Sequence, residues 1–173
     1  MTFKIALVGC GGMGRRHAHG YIELRKYFDT VTMSAVCDVH HDVAAIVAGE
    51  IGEATGSTPD IYTDFDEMLD KETGLDAVDI VTDSGLHHVL ALKAFDAGKH
   101  VAVEKPLALT VRAGLKMIEA AERAGKVLRW TGLDENLADA ILSGLRKLLA
   151  EMAQDAGHPL RLKADEGMAK LAF

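Results

Sequence analysis

The chain has 173 residues, 49% of them hydrophobic, and a formal net charge of −7. That is enough apolar material for one domain, or one domain with an appendage, and too much for a disordered chain. The acidic balance carries no basic block, which argues against a nucleic-acid partner, and no apolar run approaches the roughly 18 residues of a membrane span.

In chain order, Phe3–Val8 is an apolar run led by β-branched and aromatic residues and reads as a strand. It leads straight into Gly9-Cys10-Gly11-Gly12-Met13-Gly14, the pattern G-x-G-x-x-G. A helix is expected over 15–28 and a second strand over 31–36, closed by Asp38. Strand, glycine turn, helix, strand and acid together are the context of a dinucleotide-binding site. Gly9 allows the tight turn off the strand, Gly11 lets backbone come close to a pyrophosphate, and Gly14 lets the helix pack on the strand. The helix N-terminus turns its N–H groups and positive dipole end to the phosphates. The expected cofactor contacts of this turn are Gly9, Gly11, Gly12, Met13 and Gly14. Asp38 is placed to accept hydrogen bonds from the adenosine ribose and to repel a 2′-phosphate, so NAD is expected over NADP.

Further along, a helix is expected over 43–55 with Asp42 as a cap near its start, and His40 and His41 sit where an adenine could lie. A strand over 61–63, a short helix over 64–70 and a buried strand over 77–81 follow. The helix over 86–97 takes its apolar side from Leu86, Val89, Leu90, Leu92 and Phe95, with Gly98 as the residue that ends it. A strand at 100–103 runs into Glu104-Lys105-Pro106. A helix over 110–124 and a strand over 126–130 complete the alternation, so the expected fold is α/β with a doubly wound parallel sheet of the Rossmann type. Two cysteines, Cys10 and Cys37, make no metal or disulfide framework and read as small buried hydrophobes, with a redox role as the other reading. No metal site is expected; His17 and His19, two apart on a helix, do not share a face. The chain opens on a strand without a signal-peptide layout, and cytoplasmic residence is expected.

The residues from Lys4 to His17, with the glycine turn among them, and the stretch Ala97-Gly98-Lys99-His100-Val101-Ala102-Val103-Glu104-Lys105-Pro106-Leu107 resemble the N-terminal part of the glucose-fructose oxidoreductase/inositol dehydrogenase (Gfo/Idh/MocA) family. The resemblance covers about residues 3–130. It implies NAD(P)-dependent hydride transfer to or from sugars, cyclitols or related alcohols. It further implies Lys105 as the group acting near the substrate hydroxyl, Glu104 helping to hold the nicotinamide ribose, and Pro106 in an unusual peptide geometry. The loop with Thr82, Ser84 and His87 corresponds to one that lines the nicotinamide side, although this chain has Asp83 where the family usually has proline. His87 either faces the cofactor or hydrogen-bonds to backbone near its helix start.

The resemblance stops near the end of a Rossmann domain expected at 1–132; residues 133–173 read from their own pattern as a short helix-plus-strand extension, where the family has a larger substrate domain. In 133–156, Leu137, Ile141, Leu145, Leu148, Leu149 and Met152 recur at spacings of three and four, an apolar helical stripe that must be buried, and a homodimer is expected. Two functions follow. One is an oxidoreductase with Lys105 as acid/base acting on a polyol. The other is a non-catalytic NAD-binding domain without the substrate domain.

Overall fold

The computed structural model describes residues 2–27 and 30–130. Six strands, β1 (Phe3–Val8), β2 (Val31–Cys37), β3 (Asp60–Tyr62), β4 (Ala77–Ile80), β5 (His100–Val103) and β6 (Leu128–Trp130), form one sheet in the order β3-β2-β1-β4-β5-β6. Every neighbouring pair is parallel. The strands alternate with α1 (Gly12–Arg25), α2 (His41–Thr55), α3 (Phe65–Lys71), α4 (His87–Asp96) and α5 (Val111–Ala124). This is the doubly wound order, whose direction reverses between β1 and β4 and opens a crevice at the carboxyl ends of the strands.

The unbroken apolar run of β1 is explained by cover on both faces. Phe3, Ile5 and Leu7 pack with Ala18, Tyr21 and Leu24 of α1 and with Val47 and Ile51 of α2. Ala6 and Val8 point the other way, into a cluster with Met68 of α3, Ala91 and Phe95 of α4, and Met117 and Ala120 of α5. Each large apolar side chain buried in these layers contributes about 1.5–3 kcal/mol.

Local chemistry sets the helix ends. Asp64 and Thr110 are side-chain caps, accepting from the N–H groups of Glu67 and Ala113. Gly56 and Gly125 end α2 and α5 in the left-handed conformation.

Three expectations need correction. The first helix begins at Gly12, inside the glycine motif, because Gly11 already takes the extended conformation of the cap position; its described part ends at Arg25. Asp42 does not cap α2: His40 holds the cap position without a side-chain bond, and Asp42 lies in the first turn, where its charge still suits the dipole. In α4, Leu86 and Val89 are exposed, and the buried face is made by His87, Ala91, Ala94 and Phe95. The small alanines let this helix sit close to its neighbours, and Leu90 and Leu92 pack at its flank. The expected extension at 133–173, with its stripe from Leu137 to Met152, lies outside the described residues. Among the described residues no helix is long and apolar enough to cross a membrane.

Candidate cofactor site

Strand register delivers the sequence motifs to one edge of the sheet. Val8 pairs with Cys37 on one side and with Ile80 on the other, and Ile80 pairs with Val103. The next residues leave the sheet at one level, tied across it by Gly9 N–H to Cys37 O (2.8 Å), Val81 N–H to Val8 O (2.7 Å) and Glu104 N–H to Ile80 O (2.9 Å). The glycine turn, Asp38, Thr82 and Glu104-Lys105-Pro106 therefore gather along the crevice.

The glycines differ in what they do. Gly9 has φ +94, and a Cβ there would lie 2.5 Å from the Val81 carbonyl oxygen. A Cβ on Gly14 would lie 1.9 Å from the Gly9 carbonyl oxygen, so α1 rests on the end of β1 through that missing side chain. Gly11 and Gly12 have nothing within 4 Å of where a Cβ would stand. They leave an open cradle at the start of α1, which has neither a side-chain cap nor an acidic residue in its first turn. Met13 turns its side chain toward the core, leaving its backbone at the helix start. Such a terminus fits a pyrophosphate.

Asp38 stands at the end of β2 as expected, and it has a second task. Its Oδ2 accepts from the Cys10 N–H at 2.7 Å and its Oδ1 from the His40 N–H at 2.9 Å. One carboxylate thus pins the glycine turn to β2 while remaining half-exposed. His40 and His41 are both exposed. Cys10 and Cys37 are buried free thiols. Burial first, then the Asp38 charge, pushes Cys10 up to about 12; burial and nearby acids including Asp64 do the same for Cys37. Protonated thiols are poor nucleophiles, which favours the reading as small hydrophobes.

On the other side of the crevice, Lys105 is exposed, and the Lys105–Pro106 peptide is cis. Thr82 is half-buried in the loop after β4. His87 is buried; its Nδ1 lies 2.8 Å from Pro106 O and its Nε2 3.2 Å from Thr82 O. Of the two alternatives for this ring, the structure brings it to backbone. It joins the two loops that carry Thr82 and Lys105. Glu104 is buried, with Oε2 accepting the Lys105 N–H at 2.8 Å.

The description "Oxidoreductase family, NAD-binding Rossmann fold" belongs to the family model that matches residues 3–131. The chain belongs to this oxidoreductase family. It is 30% identical over 169 residues to inositol 2-dehydrogenase 2 of Saccharopolyspora erythraea, covering 92% of this chain and 47% of that protein. It is 30% identical over 127 residues to a glycosyl hydrolase family 109 protein of a Shewanella species, covering 71% of this chain and 27% of that protein. Its fold matches the crystal structure of GenD2 from gentamicin A biosynthesis in complex with NAD, with TM-score 0.65, 29% identity, and 75% and 34% of the two chains covered. The chain spans under half the length of these relatives. As an NAD-binding domain of the oxidoreductase family, it carries the open Gly11–Gly12 cradle and uncapped helix start that suit this cofactor.

Residue-by-residue reading missed one cluster in this family domain. His17, one turn beyond Gly14, is fully buried, with Nδ1 2.7 Å from Asp79 Oδ2 and Nε2 3.3 Å from Glu104 Oε1. Burial acts to lower its pKa, but the Asp79 charge and hydrogen bond, joined by Glu104, outweigh it and raise the ring to about 10. The Tyr21 hydroxyl and Asp79 Oδ1 are also buried; neither makes a hydrogen bond of ordinary geometry. Burial and the Asp79 charge hold Tyr21 well above the usual tyrosine range. A signal for this cluster was present in the sequence: a charged residue inside the apolar run 77–81 demands a buried partner.

Proposed function

We propose that this chain is the NAD-binding domain of an oxidoreductase that transfers hydride between the nicotinamide and a sugar, cyclitol or related alcohol, with Lys105 as the acid/base group. The observation that carries this reading is the delivery of the glycine turn, Asp38 and Glu104-Lys105-Pro106 to one sheet edge by the register of β2, β1, β4 and β5. NAD when bound supplies the hydride acceptor. The protein's part is to seat the pyrophosphate at the start of α1, to hold the adenosine ribose at Asp38, and to present the Lys105 amine at the strand end next to Thr82. Domain limits of 1–132 and 133–173 and a cytoplasmic location belong to the same reading. The inositol dehydrogenase relative supports a polyol substrate; the glycosyl hydrolase relative supports a carbohydrate more broadly.

The experiment that tests it is a fluorescence titration with NADH and NADPH. NADH should bind at least about tenfold more tightly, equivalent to ~1.4 kcal/mol. Asp38→Ala should narrow the gap and weaken both cofactors, because the carboxylate also holds the Cys10 N–H. Equal affinities in the unmutated chain would remove Asp38 as the discriminating group.

We also propose a homodimer. The sequence stripe from Leu137 to Met152 needs a partner surface, and exposed Val111, Leu115, Ile118 and Trp130 add apolar area that a second copy can cover. Sedimentation velocity at micromolar concentration should show a dimer; monomer alone at the highest concentration reached would reject it.

A further inference from the structure

We propose that His17 is a positioning residue for Lys105: wedged between Asp79 and Glu104, it holds the Glu104 carboxylate against the Lys105 backbone N–H and ties the first turns of α1 to the strand end that carries the lysine. The inference deepens the reading of Lys105 as the acid/base group and rests on it.

The bonds run in sequence from the core to the crevice. Asp79 is in the middle of β4, all four of whose residues are buried. Its Oδ2 faces His17 Nδ1, and His17 Nε2 faces Glu104 Oε1. Ionised carboxylates only accept, so satisfying both neighbours requires a proton on each ring nitrogen. The high pKa of the ring agrees with an imidazolium. The other Glu104 oxygen then takes the Lys105 N–H. On the far side of the lysine, His87 of α4 meets the Pro106 carbonyl oxygen. The residues on either side of the lysine, Glu104 and Pro106, are thus each met by a histidine of a different helix, while the lysine side chain stays exposed.

Packing alone does not call for this arrangement. Charged groups buried together cost more desolvation than apolar residues of similar size would, and removing one member of such a group is strongly destabilising. What the network supplies that apolar residues cannot is direction. A carboxylate aimed by an imidazolium fixes where the next amide points. Because His17 is on the helix that begins at the glycine turn, the pyrophosphate seat and the lysine become one rigid unit.

The test uses the full 173-residue chain and needs no turnover. Nitrogen-15 NMR of the imidazole at pH 8 should show His17 with both nitrogens protonated. Exchange of the Lys105 amide should be slow in the unmutated chain and roughly ten- to hundredfold faster in His17→Asn, the population equivalent of one charge-assisted hydrogen bond. NADH affinity in the same variant should change much less, which a general loosening of the fold would not allow. A neutral His17 ring at pH 8, or an unchanged Lys105 amide in folded His17→Asn, would overturn the proposal. The imidazole signature is read on the unmutated chain, so it decides the matter even where the variant fails to fold. Lys105→Ala keeps the backbone amide and tests the lysine's chemical role separately; retained turnover there would sink the acid/base reading while leaving the His17 signature in place.

Discussion

Gly11→Val is expected to abolish measurable NADH binding while leaving the fold intact. Gly11 has φ −63 and ψ −166, a conformation open to any L-residue, and it occupies the N-cap of α1. Nothing stands within 4 Å of the position its Cβ would take. A Cβ there therefore brings neither backbone strain nor a clash within the protein. It does put two methyl groups over the N–H groups that start the helix. Hydrogen bonds to charged groups are worth about 1.5–3 kcal/mol each, so losing two weakens binding by roughly a hundredfold or more. Far-UV circular dichroism should be unchanged. Gly14→Ala supplies the contrast. Its Cβ would stand 1.9 Å from the Gly9 oxygen and 2.8 Å from the Gly9 carbon, both backbone atoms that cannot rotate away. That variant should lose stability at the upper end of the ~1–3 kcal/mol typical of overpacking, or more, seen as a lowered melting temperature. A folded Gly11→Val chain that binds NADH normally would mean the phosphates do not sit on this turn.

The difference between the two glycines also marks where sequence reading succeeds. With a strand before it and a helix after it, the G-x-G-x-x-G spacing made the tight turn at Gly9 and the close packing at Gly14 legible in the sequence. Asp38 was legible for the same reason: it closes the second strand, and strand register sets it beside the turn. Its bond to the Cys10 N–H was not, because side-chain bonds to backbone leave no periodic trace. The His17–Asp79–Glu104 cluster was harder still. Its members are 62 and 87 positions apart in the bonded pairs, and although Asp79 inside an apolar strand signals a buried partner, nothing in the sequence says which residue that partner is. Only the fold joins them. Leu86 and Val89 misled for a related reason. Helical spacing identifies an apolar face, but α4 turns its alanines inward, where close packing of helix on sheet rewards small side chains over large ones.

By itself, the 173-residue polypeptide should bind NADH and reduce NAD only slowly with inositol, glucose or similar polyols. Hydride transfer needs the carbinol carbon held near the nicotinamide and its hydroxyl within hydrogen-bond reach of a base. Lys105 is well anchored through its backbone, by Glu104 before it and by the His87–Pro106 contact after it. Its side chain, however, is exposed to solvent. An amine in open water holds no substrate in place, and orientation is worth on the order of 7–11 kcal/mol of a barrier. A crevice that admits water loses much of that contribution and weakens every electrostatic interaction within it. The balance of these effects predicts cofactor binding with only slow turnover, and Lys105→Ala should remove what turnover there is. Steady-state NAD reduction measured by absorbance with the purified chain checks it. Vigorous turnover that Lys105→Ala abolishes would show that the described crevice is already sufficient to orient a substrate, and that the exposed lysine acts without a second wall.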